Sequence, residues 1–316
     1  MSAGPTIRLL LPCPDKKEGK AWGDYYFGHS LGDALERLGC QVLYSYRERG
    51  VLARVRSFLD RLVHWRELEL VIRGKRTWRP VPGKRAAMWL ISRSDSISIP
   101  ELRRYFHVFV ASRPYLRRIE GQIRSASLLL QCTDSTRFGP REVRGSQPCL
   151  FVGNRRKGFP RRVVDLAVDA GHEVEVWGRG WSDAIAAERL AGLHIENRDL
   201  ADHYRAAQAV LNDHTPAMLE DGFVSNRLFD VAACATPLVT EDMEGIPIEF
   251  RPHLYLYKTL DEVSQALRSA LDSGPSEEAS RIALAQQVLR EHTFDQRAME
   301  ILQTLTRPHQ APLASS

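Results

Sequence analysis

The six residues Gly153-Asn-Arg-Arg-Lys-Gly158 combine two glycines with three consecutive cations. They follow the apolar run Cys149–Val152 and precede a segment with helical periodicity from Phe159 to Ala170. At a turn from strand to helix, glycine allows close backbone approach and the first helical N–H groups face an anion, so the chemistry suggested is phosphate binding. The loop is neither a Walker A sequence, because no G-K-[ST] follows, nor a G-x-G-x-x-G fingerprint. Its spacing alone fits a phosphate cradle and a solvated strand-to-helix turn equally well. Further along, Asp221-Gly-Phe-Val-Ser-Asn-Arg-Leu-Phe-Asp230 leads into Val-Ala-Ala-Cys-Ala-Thr-Pro237 and Leu-Val-Thr-Glu-Asp242. This reads as a loop, a helix with a small-residue face and a strand. Near the N-terminus, Asp24 and His29 offer two groups able to accept a proton. Asp24 serves equally well as a helix cap, and His29 as a packed or solvated histidine.

These residues need a scaffold that brings them together. Ile7–Leu11 is an apolar run closed by Pro12-Cys-Pro14; a helical pattern from Tyr25 to Leu38 ends at Gly39, and Gln41–Tyr44 is extended again, which makes a βαβ unit. A helix over 51–65 and short apolar strands at 68–72, 86–91, 108–111 and 127–131 continue a parallel sheet. Thr133 to Pro148 is rich in turn formers and forms the linker. Alternation restarts at Cys149, with strands at 172–177, 209–211 and 237–240, a short element beginning near Ile195, and helices at 200–207 and 226–233. Helices then fill 276–305. The expected fold class is therefore α/β with two Rossmann-like halves, divided as 1–140 and 148–294.

Length and composition agree with that division. At 316 residues, with 43% hydrophobic and 26% charged side chains, the chain suits two globular cores. No run approaches the length of a membrane-spanning helix and Met1–Pro5 lacks signal-peptide character, so a cytoplasmic location is expected. Cys13, Cys40, Cys132, Cys149 and Cys234 form no C-x-x-C pair, which argues for buried reduced thiols rather than disulfides or zinc. Residues 1–145 hold 27 Lys/Arg against 14 Asp/Glu, a balance of +13, which leaves −8 for the remainder of a chain whose total is +5. A basic first half is suited to an acidic acceptor or to peripheral contact with an anionic membrane. Nucleic acid is disfavoured as a partner, because the cations form neither a recognition helix nor an aromatic stacking platform.

The segment 222–237 resembles the G-F-x-x-x-R-x-F-E-x-x-A-C-G-T-P pattern of group-1 glycosyltransferases of the GT-B fold, in particular the CgeB-like (spore maturation protein-like) branch. The similarity extends through Trp22–Phe27, Trp89–Ser92, Val108–Ser112, Cys132–Asp134 with Phe138 and Pro140, Phe151–Asn154, Trp177–Trp181, and His292–Phe294 with Arg297. It implies two domains facing a central cleft, with a C-terminal helix at 295–308 crossing back onto the first. It also implies an enzyme that moves a hexose-type sugar from a nucleotide-diphosphate donor to a glycan, lipid-linked or other acceptor. Gly153, Asn154, Gly178, Arg179, Gly222, Phe223, Asn226, Arg227, Asp230 and Thr236 would bind the donor: Arg227 at the diphosphate, Asp230 in place of the family's glutamate at donor hydroxyls. Arg155 and Lys157 would neutralise the leaving diphosphate and Asp24 or His29 would act as base. With no D-x-D pair in the chain, these fixed cations would stand in for a metal, and no cofactor beyond the sugar nucleotide is expected.

The chain departs from the pattern at three places. Arg93-Ser94 replaces His-Pro, Ala235 replaces glycine and Asp230 is one methylene shorter than glutamate. An alanine at 235 would be strained if the turn needs a positive φ. Two other readings remain open: a nucleotide-sugar epimerase of the same fold, and a catalytically silent protein that binds sugar nucleotides or polyanions.

Overall fold

The computed structural model describes residues 4–14, 22–47, 50–74, 78–141 and 147–306. Residues 142–146 of the expected linker, and 307–308 of the expected last helix, lie outside them. The first half contains strands β1 (Thr6–Leu10), β2 (Gln41–Ser45), β3 (Leu68–Arg73), β4 (Ala86–Leu90), β5 (His107–Val110) and β6 (Ala126–Leu128). Its helices are α1 (Gly23–Arg37), α2 (Val51–Val63), α3 (Ile99–Leu102) and α4 (Arg113–Ile119). The six strands form one parallel sheet in the order β2-β1-β3-β4-β5-β6, with Ile7 opposite both Val42 and Leu68. The near-continuous apolar runs of β1, β3, β4 and β5 are what a sheet covered on both faces requires, whereas the edge strands β2 and β6 are less apolar and less buried.

The second half repeats the plan. Strands β7 (Cys149–Val152), β8 (Val174–Trp177), β9 (Leu190–Gly192), β10 (Val210–Leu211), β11 (Leu238–Glu241) and β12 (Tyr255–Tyr257) pair in the order β12-β11-β10-β7-β8-β9. Helices α5 (Arg162–Asp169), α6 (Leu200–Ala206), α7 (Pro216–Asp221), α8 (Asn226–Ala233), α9 (Val263–Leu271) and α10 (Pro275–Glu291) surround it. The last described helix, α11 (Phe294–Thr306), packs on α1 and sends Phe294, Ala298, Ile301 and Leu305 into the core of the first half. The chain thus crosses between halves twice, and the two crossings run side by side. Thr133 N–H donates to His292 O (2.9 Å) and Phe294 N–H donates to Thr133 O (3.1 Å).

Some expectations from the pattern are corrected. The helix expected from Phe159 begins only at Arg162. An Arg156–Phe159 bridge closes a turn around Gly158 (φ 83°), and Pro160 disfavours helical geometry at Phe159. The short element expected at Ile195 is instead the edge strand β9 a few residues earlier. All five cysteines are free and buried.

Ala235 has φ 57°, in the left-handed region. That geometry costs a residue with a Cβ roughly 1–2 kcal/mol, against about 0.4–1 kcal/mol of unfolded-chain entropy that alanine saves over glycine. Ala235→Gly is therefore expected to stabilise the protein by about 0.5–1 kcal/mol, read as an upward shift in urea midpoint at unchanged slope.

Candidate active site

In an open parallel sheet the ligand crevice lies beyond the carboxyl ends of the strands, where the strand order reverses. For the second sheet this is the junction of β7 and β10. Arg227, in the first turn of α8, reaches into that junction: Nη1 donates to Asn212 Oδ1 (2.8 Å) just after β10, and Nη2 donates to Val152 O at the end of β7. Arg161 approaches from the other side. It donates to Asn154 O (3.0 Å) and pairs with Asp213 (2.5 Å). Both guanidinium carbons lie 5.5 Å from the Phe151 ring centroid, so the two cations flank one aromatic side chain. Burial lowers the pKa of Arg161 and raises that of Asp213, against the attraction each has for the other. The Nε–H of Arg227 is buried with no hydrogen-bond partner.

A second layer holds this arrangement. His214 Nε2 accepts the backbone N–H of Ser225 (3.0 Å), which places the ring proton on Nδ1, where it donates to Glu241 Oε2 (2.8 Å). Glu241 sits above its usual pKa because it is buried. Asn212 Nδ2 donates to Thr240 Oγ1 (2.9 Å) and Ser225 Oγ donates to Asn212 Oδ1 (3.2 Å). The end of β10, the end of β11 and the start of α8 are thereby locked to one another, and Arg227 with them.

Between the halves lies a cavity of about 280 Å³, whose walls include Asp24 and Tyr26 from the first half and Asn226, Arg227 and Asp230 from the second. In the first half, Pro12 and Gly74 lie just beyond the ends of β1 and β3, where that sheet reverses its order. A Cβ placed on Gly74 would stand 3.2 Å from the Asp24 carboxylate, so this acid sits at the equivalent point of the first sheet. Burial raises its pKa to about 6. Asp230 accepts from Thr133 Oγ1 (2.7 Å) and Asn226 Nδ2 (2.8 Å). Burial outweighs both bonds and lifts its pKa to about 7.

Comparison with known proteins bears on this geometry. Residues 155–303 match the family model described as glycosyl transferase-like. No match was found among curated proteins. Among solved structures the chain is similar to sucrose-phosphate synthase from Thermosynechococcus elongatus, at 14% identity and TM-score 0.67, with 95% of this chain and 98% of that one covered. It is likewise similar to AviGT4, a glycosyltransferase involved in avilamycin A biosynthesis, at 15% identity, TM-score 0.65 and coverages of 96% and 98%. T4 phage BGT, solved with its UDP-glucose substrate, aligns at 9% identity and TM-score 0.62 over 96% of this chain and all of that one. The fold is GT-B. No helix among the described residues is long and apolar enough to cross a membrane. Nor do the described residues place three or more His, Cys, Asp or Glu as a metal-binding group.

Of the residues singled out by sequence, the GT-B cleft gathers Asp24, Asn226, Arg227 and Asp230 on one cavity. The others lie elsewhere. His29 is wedged between Tyr25 and Tyr44 (4.3 Å to each ring) with Nε2 2.7 Å from Tyr46 Oη, an aromatic stack against the edge strand β2 and not a cleft base. Arg155 turns outward to Asp165 (2.7 Å) and over Trp181, and Lys157 is exposed in the turn. Asn154 Oδ1 accepts the Arg179 N–H (2.8 Å), while the Arg179 side chain is exposed. A Cβ on Gly178 would stand 2.2 Å from Gly153 O, so the close approach needed there is to another loop of the protein. Gly222 (φ 69°) ends α7 against Pro114, and Phe223 is fully buried in the core of the first half beside Tyr115 (5.3 Å). Thr236 precedes β11 at the opposite end of the sheet and donates to Tyr204 O (2.9 Å). Sequence reasoning missed Arg161, Asn212, Asp213, His214 and Glu241. The signal available was three successive polar residues, 212–214, directly after an apolar strand.

Asp230 gives a testable pH dependence. Its native pKa lies above the unfolded value near 3.9, so the native state holds the extra proton and this group's contribution to stability falls as pH rises from about 4 to about 7. His292, pushed down to about 4 by burial and then by Arg297, contributes a slope of opposite sign. The informative quantity is therefore the difference between wild type and Asp230→Asn. Urea titrations across this range should show the variant gaining on wild type up to about pH 7 and holding its advantage above it.

Proposed function

We propose that this protein is a glycosyltransferase that moves a sugar from a nucleoside-diphosphate sugar to an acceptor across the cleft. The observation that carries the reading is the pair Arg161 and Arg227 at the β7/β10 reversal, clamped by protein acceptors and retaining an unpartnered buried Nε–H. Two guanidinium groups already fixed in place can receive the charge that develops on a leaving diphosphate without reorganising, which is the term expected to dominate such catalysis. They also let the transfer proceed without a divalent metal. Asp24, on the same cavity as Arg227, is the base: a carboxyl with a pKa of about 6 is mostly ionised at neutral pH and more basic than an ordinary aspartate. Asp230 orients the donor sugar, with Asn226 and Thr133 setting its carboxylate. The pattern at 222–237 supports placing the chain in the CgeB-like branch.

The test is thermal stabilisation and hydrolysis with UDP-, GDP-, ADP- and dTDP-sugars, each with EDTA present. One nucleotide should raise the melting temperature and its sugar should be released slowly. Stabilisation without turnover, even with added acceptor sugars, would favour the silent binding protein. Conversion to an isomeric sugar nucleotide would identify an epimerase. No response to any donor would refute sugar-nucleotide chemistry altogether.

A further inference from the structure

Helix α2 is mounted with its apolar face outward. Val51, Val55, Phe58 and Leu62 recur at helical spacing, with Leu52, Leu59 and Val63 beside them, so seven large apolar side chains form one broad stripe. Such a stripe ordinarily faces the core. Here all seven are exposed, Leu52 at 86%, Val63 at 79% and Val51 at 74%, with Trp65 half exposed just beyond. The residues turned toward the body are the small Ala53 and Ser57, and Arg61.

An ionic lattice substitutes for apolar packing beneath the helix. Arg61 makes a bidentate pair with Glu69 (2.9 and 2.6 Å), and Lys84 Nζ lies 3.1 Å from Glu69 while donating to the carbonyls of Arg61, in the last turn of α2, and His64, just past its end (2.9 Å each). Asp60, the only acidic residue of the helix, is drawn to Arg8 (3.0 Å). Arg54 and Arg56 remain exposed, one on each margin of the apolar stripe. Residues 46–66 carry six arginines against two acidic residues.

We infer that α2 is an interfacial helix that docks this domain on an anionic lipid surface, sinking its apolar stripe to the depth of the headgroups while Arg54 and Arg56 meet the lipid phosphates. A broad apolar face bordered by cations is the composition that binds in the plane of a bilayer, and the +13 balance of residues 1–145 adds long-range attraction of the same sign. A second copy of the chain is the poorer occupant. Pairing two such faces would oppose arginine with arginine, with no acidic side chain on the stripe to compensate. The inference is independent of sugar transfer, since α2 contributes nothing to the cleft cavity.

The full-length protein is sedimented with phosphatidylcholine vesicles with and without phosphatidylglycerol, at low and raised salt. It should pellet with the anionic vesicles and be released by salt. Leu52→Glu/Leu59→Glu and Arg54→Glu/Arg56→Glu should each weaken binding by about tenfold or more. Both pairs are exposed, so melting temperatures should match wild type. Wild-type protein remaining in the supernatant with anionic vesicles would overturn the inference, as would binding that neither double variant weakens. So would a dimer in size-exclusion chromatography that Leu52→Glu/Leu59→Glu dissociates, since the face would then belong to a second copy.

Discussion

Arg227→Ala is expected to lower kcat/KM for the productive donor by about 10²–10³, the usual cost of deleting one preorganised charge donor. The guanidinium joins β7 to β10 through Val152 O and Asn212 Oδ1, so its removal also takes one donor from each of them, leaving Asn212 Oδ1 with Ser225 Oγ alone. That adds about 1–2 kcal/mol of destabilisation, too little to unfold a domain of this size. Arg227→Lys separates the two effects. An ammonium keeps the charge but cannot reach both acceptors and still present a planar N–H edge, so only a small part of the activity should return. Steady-state kinetics of wild type and both variants, beside their denaturation curves, would decide the matter. Unchanged kcat/KM in a folded Arg227→Ala protein would remove this residue from the donor site.

Strands β1, β3, β4, β5 and β7 were legible because their apolar runs are nearly unbroken, as burial on both faces demands, and the edge strand β2 because it resumes an extended pattern just after Gly39. Strands β9 and β12 were not. Each is a three-residue strand at a sheet edge, Leu190–Gly192 and Tyr255–Tyr257; Gly192 interrupts the apolar residues of the first, and the short apolar run Leu254–Tyr257 of the second went unread. Site residues divided along similar lines. Arg227 and Asp230 lie within one turn of α8 and point to the same cleft, so a pattern in sequence was also a pattern in space. Thr236 belongs to the same sequence pattern, but the eight residues of α8 climb about 12 Å between the two positions and carry it to the far end of the sheet. The cations of 155–157 misled for a local reason. The Gly158 turn and the Asp165 carboxylate direct them outward, and the charge facing the strand ends is supplied by Arg161, which the sequence pattern had placed inside a helix. Its φ of 61° at the start of α5 is what frees it from the helix surface. Phe223 shows how a tertiary contact can override a motif, since packing against Tyr115 uses the side chain as an anchor between the domains.

Glu69→Ala should be the most destabilising single replacement in the first domain, by about 3–5 kcal/mol. Its carboxylate is fully buried, holds Arg61 through both oxygens and lies 3.1 Å from Lys84. Truncation would leave two cations in the interior, with Glu67 already bound to Arg8 (2.6 Å) and 3.7 Å from Lys84, so neither can be neutralised without rearrangement. Because α2 offers the sheet only Ala53 and Ser57 besides Arg61, little hydrophobic contact would retain it once the lattice fails. The loss should therefore appear first as rapid hydrogen exchange of the α2 amides, ahead of those in β3 and β4. Urea denaturation gives the overall magnitude, and Glu69→Gln should lose nearly as much because the charge, not the shape, is what pairs. The converse also follows: replacing Arg61, Glu69 and Lys84 together by apolar residues should recover most of the stability, apart from the helix-end carbonyls that Lys84 satisfies. A Glu69→Ala protein as stable as wild type, with α2 still protected, would mean that the helix is held by something other than this ionic lattice.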